Sequence, residues 1–177
     1  PEAKQVLVIN GKVTVLPDAA ETLRQYEALV VNGKATCPAS LAALFTEAAT
    51  VNGKLVIYPD EAVVLSGRSV KLDRAFLLRA QERLYWNERL FVAVDPKLDA
   101  AALAAKGCRF AAPKAVLAES LAETLAPLFT EDTELVILPD GTAVVDDDLD
   151  LTAAALRRYG TKLYVLGDVT VSADCIA

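Results

Sequence analysis

Four aspartates crowd into five positions, Asp146, Asp147, Asp148 and Asp150. Alternating carboxylates on an extended chain are the oxygen donors that a hard cation such as Ca²⁺ takes. The EF-hand loop also needs a turn glycine and a bidentate Glu at fixed offsets, and neither is present, so the segment reads as a solvated acidic turn and no metal is assigned to it. Cys37, Cys108 and Cys175 are odd in number and far apart, which fits neither a disulfide framework nor a zinc site. They read as small apolar side chains in a reducing compartment. Among the 177 residues there is no histidine, which removes the commonest general base and every histidine-dependent triad. The remaining route to catalysis is a carboxylate pair of the glycosidase kind. No Gly-rich phosphate cradle and no nucleophile elbow occurs, so the expectation is a protein that is not an enzyme and carries no cofactor.

Residues 74–89 concentrate a different chemistry. Arg74, Arg79, Arg83 and Arg89 accompany Tyr85 and the only tryptophan, Trp86. Tyr, Trp and Arg dominate binding hot spots because they desolvate a large area while keeping a polar handle. Arg79, Arg83, Tyr85, Trp86 and Arg89 are therefore the candidate interaction surface. The competing reading is a helix whose Phe76, Leu77, Leu84 and Trp86 plug the core.

Charge narrows the partners. With 18 basic against 24 acidic side chains the net charge is −6, which offers no footprint for nucleic-acid phosphates. The asymmetry is internal: residues 1–89 hold 11 basic and 10 acidic groups and residues 90–177 hold 7 and 14, so the halves carry +1 and −7. Such a distribution serves simple solubility first, and the other reading is a bias towards head-to-tail association or the approach of a basic partner. No apolar run approaches the roughly 20 residues of a membrane-spanning helix, and Pro1–Gln5 lacks the apolar core of a signal peptide. With free cysteines, the expectation is a cytoplasmic chain without membrane insertion. Because the chain begins at Pro1 rather than Met, a removed targeting segment is the alternative.

These groups must be held by a scaffold, and the chain alternates two kinds of segment. Short β-branched runs (Gln5–Gly11, Ala28–Gly33, Thr50–Gly53, Leu135–Leu138, Leu163–Gly167) have the composition of strands. Stretches rich in alanine and leucine (19–26, 39–48, 72–85, 99–105, 115–129, 151–159) have that of helices. Asp18, Ser40, Asp73 and Thr152 stand where N-caps belong. The chain also repeats itself. Leu41-Ala-Ala-Leu-Phe-Thr-Glu47 returns as Leu125-Ala-Pro-Leu-Phe-Thr-Glu131, and Leu55-Val-Ile-Tyr-Pro-Asp60 as Leu135-Val-Ile-Leu-Pro-Asp140. Three further blocks follow in the same order, which predicts an internal duplication of approximately 6–89 and 90–168 with a C-terminal strand after it.

A shorter period lies inside the first copy. Asn10-Gly11-Lys12, Asn32-Gly33-Lys34 and Asn52-Gly53-Lys54 fall 22 and 20 residues apart. Repeats of 20–29 residues built from a strand and a helix mark an α/β solenoid. On this period and its strand-Asn-Gly punctuation, clearest over residues 6–60, the chain resembles the leucine-rich-repeat class. Asn-Gly between β-formers is equally the turn pair of a hairpin. Even spacing and intervening helices favour stacked parallel strands. The expected fold is thus α/β: residues 1–177 as a single, internally duplicated, leucine-rich-repeat-like domain whose parallel strands form one continuous sheet backed by helices. That architecture implies a protein-interaction or scaffolding module, with a self-associating module next and a carboxylate-based hydrolase or sugar-binding domain third.

Overall fold

The computed structural model describes residues 5–175. The chain divides into two compact units, Pro1–Ala62 and Val63–Ala177.

In the first unit, β1 (Gln5–Thr14), α1 (Ala20–Arg24), β2 (Tyr26–Pro38), α2 (Ala42–Ala48) and β3 (Ala49–Tyr58) follow in order. The three strands form one sheet in the order β1-β2-β3, and both pairings are parallel. Asn10, Asn32 and Asn52 lie in register, as do Gly11, Gly33 and Gly53 and then Lys12, Lys34 and Lys54. The Asn-Gly pairs are therefore not hairpin turns. The Asn32 amide donates to Asn10 Oδ1 at 2.8 Å and the Asn52 amide to Asn32 Oδ1 at 2.9 Å, a ladder running across the strands. The glycines bend the strands at φ of 144° to 151°. A Cβ on Gly33 would stand 2.1 Å from the Gly11 carbonyl oxygen, and one on Gly53 only 1.9 Å from that of Gly33. Two residues before and after each bend, side chains such as Val31 and Ala35 turn inward, where they pack with Leu29, Cys37, Leu41 and Phe45. The Tyr58 hydroxyl closes this core by donating to the Val15 carbonyl at 2.6 Å.

The second unit begins with β4 (Val63–Val64), β5 (Val70–Lys71), α3 (Arg74–Arg79), β6 (Leu84–Trp86), β7 (Leu90–Ala93) and α4 (Ala100–Ala105). It continues with β8 (Arg109–Ala111), β9 (Lys114–Ala118), α5 (Glu119–Leu125), β10 (Glu134–Leu138), β11 (Ala143–Val145), β12 (Leu149–Leu151), α6 (Ala153–Tyr159), β13 (Leu163–Val165) and β14 (Val169–Val171). Its sheets are β4-β6-β8, β5-β7-β9-β10, β11-β13 and β12-β14, and every described pairing is parallel.

The expected single continuous sheet is not what forms. A corner splits each run of the second unit into two short strands, and corners stack on corners. Asn87 shows why. Fully buried, it donates to the carbonyls of Leu65 at 2.8 Å and Gly67 at 3.1 Å while its Oδ1 accepts from the amides of Arg89 and Leu90, both at 2.9 Å. One side chain thus satisfies the bent backbone of its own corner and of the preceding one, which a continuous strand would not need.

The helix boundaries differ where strand pairing overrides composition. Residues 115–118, alanine-rich and expected to be helical, are strand β9 because Ala115 and Leu117 fill fully buried slots between β7 and β10. Asp73 and Thr152 cap their helices as expected, accepting from Phe76 and Ala155 amides at 2.9 and 3.1 Å. Asp99 does the same for α4, whereas Asp18 and Ser40 make no such bond to a helix.

Alternation divides β7 and β9 between two cores. Phe91, Ala93, Ala115 and Leu117 face the helices, and Leu90, Val92 and Val116 face Val144, Tyr164 and Leu166. The helix-side core is aromatic, with Phe76, Tyr85, Phe91, Phe110 and Phe129 linked by ring-centroid distances of 5.2 to 6.0 Å. No helix among the described residues is long and apolar enough to cross a membrane.

Alanine at Gly33 combines a positive-φ penalty with overlap against a neighbouring backbone and is expected to cost about 3 kcal/mol or more, whereas alanine at Gly11, with open space beside it, should cost only about 1–2 kcal/mol. Urea midpoints of the two variants measure the difference, and equal midpoints would mean that close strand approach contributes nothing.

Candidate functional site

The five residues expected to form an interaction surface are not all at the surface. Tyr85 and Trp86 are 8% and 9% exposed on β6. The Tyr85 ring packs edge-on against Phe76 and stacks on Phe110, and its hydroxyl accepts from the Gln81 amide at 3.0 Å. Tyr85 belongs to the helix-side core, and Trp86, the next residue on the strand, is buried as well. Arg89 is engaged within the unit: its guanidinium donates to the Arg68 carbonyl at 2.9 Å and pairs with Asp146 at 2.5 Å. Only Arg79 and Arg83 stay exposed, Arg79 at the rim of a cavity of about 360 Å³ also lined by Leu65, Lys71, Asp73, Phe76 and Tyr85.

The acidic run is likewise absorbed. Asp146 takes Arg89, Asp147 faces Arg68 at 3.6 Å and accepts the Asp148 amide at 2.8 Å, and Asp148 accepts the Asp168 amide at 2.8 Å. These carboxylates bind the corner between β11 and β12 to its neighbours. No group of three or more metal-ligating side chains is gathered among the described residues. Cys37 and Cys108 are fully buried. Burial, reinforced by nearby Asp60, pushes the Cys37 thiol up to about 11, and burial also raises that of Cys108, so neither forms a thiolate readily. Cys175 donates to the Leu151 carbonyl at 2.5 Å.

Ser40 and Asp60 make a strongly polarised pair in the first unit. The Ser40 hydroxyl and its amide both donate to the Asp60 carboxylate, the amide at 2.8 Å, and hold that carboxyl below its usual range. Ser120 and Asp140 repeat the amide bond at 3.1 Å in the second unit. In both cases an aspartate just past a strand end ties down the backbone entering the helix of the preceding turn.

What the geometry leaves available is sheet edge. On the outer side of β1 no strand pairs among the described residues, and Val6, Leu7 and Val8 are 63%, 36% and 54% exposed. Beneath it opens a groove of about 350 Å³ lined by Leu7, Ile9, Val13, Leu16, Leu23 and Tyr26, among others. In the second unit, β10 is the last strand of its sheet and shows Leu135 and Ile137 at 38% and 55% exposure. Their register partners on β9, Ala115 and Leu117, are fully buried, so the pair prolongs the helix-side core past the point where helices cover it. The last strand of the first unit, β3, shows the same pair at the same places, Leu55 at 38% and Ile57 at 42%. Residue types gave strands but not edges; the only sequence signal was the run Val6-Leu7-Val8-Ile9, apolar on both faces. The lysine column beside it is self-repelling: burial, then Lys12 and Lys54, lowers the Lys34 pKa.

No family model, no curated protein and no solved structure matches this chain.

Two outcomes are expected here. Because the Asp60 carboxyl is depressed in the folded state, its contribution is present above the ordinary value of 3.8 and is lost as pH falls through the folded value. Ser40→Ala should therefore lower stability at pH 5–7, with the gap to the parent closing in acid, as thermal melts across pH will show. For Arg89 and Asp146, at 35% and 14% side-chain exposure, a double-mutant cycle is expected to return a coupling of about 1 kcal/mol. Additive single changes would remove the ion pair from the account of this corner.

Proposed function

We propose that this chain is a short, internally duplicated, leucine-rich-repeat-like solenoid that serves as a non-catalytic protein-interaction or scaffolding module. Strand-to-strand offsets of 20 to 25 residues throughout, such as Leu7 to Leu29 and Leu84 to Arg109, support the repeat reading. The matched pairs Ser40–Asp60 and Ser120–Asp140, and Leu55–Ile57 and Leu135–Ile137, support the duplication. The side chains that could begin chemistry are spent on structure, since two thiols are buried and the clustered carboxylates hold arginines and amides.

The observation that carries the reading is the open β1 edge with the apolar groove beneath it. A ten-residue strand with a free row of amides and carbonyls is a template for strand addition, in which main-chain bonds supply affinity and side-chain pockets supply choice. A cytoplasmic setting agrees with the three free cysteines.

The test replaces Leu7 by Glu and Val8 by Lys in one variant, and Arg79 and Arg83 by Ala in a second. A partner captured from source-cell lysate by the parent chain should be lost at least tenfold with the first variant and kept with the second. Equal retention by all three would sink the β1 reading. A second reading, self-association, is favoured by the uncovered apolar pair on β10, an edge strand of its own sheet as β1 is of its sheet.

A further inference from the structure

The two open edges are complementary in direction, apolar pattern and charge. In the first unit, the inward column Val13, Ala35, Leu55 runs from β1 to β3, and two residues on Cys37 is followed by Ile57, with Val15 at its head. Each column is fully buried in the middle and half-open at its last strand, where Leu-x-Ile stands exposed. The second unit ends on the same Leu-x-Ile, at Leu135 and Ile137. In the first unit, then, Val-x-Val begins the column, and in both units Leu-x-Ile ends it.

Resting on the self-association reading above, we infer that copies of this chain join head to tail, β1 of one copy adding in parallel to the free edge of β10 of another. The alignment that continues the core sets Val13 against Leu135 and Val15 against Ile137, and it places Lys12 opposite Glu134. That charge pair reproduces one already inside the molecule, since Glu134 pairs in register with Lys114 and their charged groups lie 4.0 Å apart. Glu134 is 68% exposed on its side chain, able to take a second lysine from the open side. It also adds a carboxylate to the column in which the register partners of Lys12 are Lys34 and Lys54. The step from β10 to an incoming β1 has the same sense as every step from one strand to the next within the sheets, so nothing in the joint reverses the stack. The near-neutral first half and the acidic second half, +1 and −7, favour this order over head-to-head or tail-to-tail contact. A heterologous joint of this kind leaves both ends open and generates chains rather than a closed dimer.

Sedimentation of the full chain across concentration, at low and high salt, tests the joint with Lys12→Glu, Glu134→Lys and the variant carrying both. Lys12→Glu faces Lys34 within its own sheet, so it relieves repulsion and keeps the fold. The parent should rise in mass from 18.8 kDa through successive oligomers as concentration increases. Each single change should weaken association at least tenfold, and the double change should restore it to within about threefold. A constant 18.8 kDa species would overturn both the joint and self-association. Rising mass that ignores all three changes would overturn the joint while leaving self-association standing. Growth that stops at a dimer and responds to Lys12→Glu alone would overturn it in favour of β1 pairing with itself.

Discussion

The backbone of each strand must lie flat against the next at the roughly 4.8 Å spacing of a β-ladder, and the rest of this structure depends on that approach. In the first unit the approach is so close at the bends that a single methyl group on Gly33 or Gly53 would overlap the neighbouring carbonyl oxygen. The bend lets Asn and Lys side chains on either side of it turn outward while Val31 and Ala35 turn inward, so one geometric feature creates both the amide ladder and the core. Stacked identical residues follow from parallel, in-register pairing, and so does the stacked lysine column. The lysines repel, and the apolar column beneath them outweighs the repulsion.

The second unit meets the same constraint with different side chains. Where the first unit bends at glycine, the second turns corners at Asn87, at Asp146–Asp148 and at Leu166–Asp168, and polar side chains hold the exposed backbone groups of one corner to the next. Asn87 can do so fully buried because all of its hydrogen-bonding capacity is matched. The aspartates do so half-exposed, with Arg68 and Arg89 balancing their charge. Asp146, Asp147 and Asp148, which look like a cation site in sequence, are thus corner fittings, and Arg89, which looks like part of a binding surface, is one of their counter-charges.

Stacks of this kind have no intrinsic length. Each added strand-and-helix turn buries the face of the one before, and the terminal turns are left with uncovered columns unless something caps them. β1 and β10 are edge strands of their own sheets, and each shows apolar side chains there. The buried thiols and paired carboxylates are part of the support of these stacked strands.

Local chemistry by itself determined the alternation of strands and helices, the in-register Asn-Gly-Lys spacing, the caps at Asp73 and Thr152 and the absence of histidine chemistry. These are legible because β-branched runs, capping side chains and fixed repeat lengths act over a few residues. Only the tertiary structure decided that Tyr85 and Trp86 face inward, that residues 115–118 are strand and that Arg89 meets Asp146 across 57 positions of sequence. It also decided which strands are edges. An edge is defined by a neighbour that is not there, and a strand's own residues carry no record of what lies beside it. Leu7 and Leu29 are the same side chain at paired positions on adjacent strands of one sheet, yet one is 36% exposed and the other 3%. The difference is position in the stack, which pairing over 20 and more residues sets and composition does not.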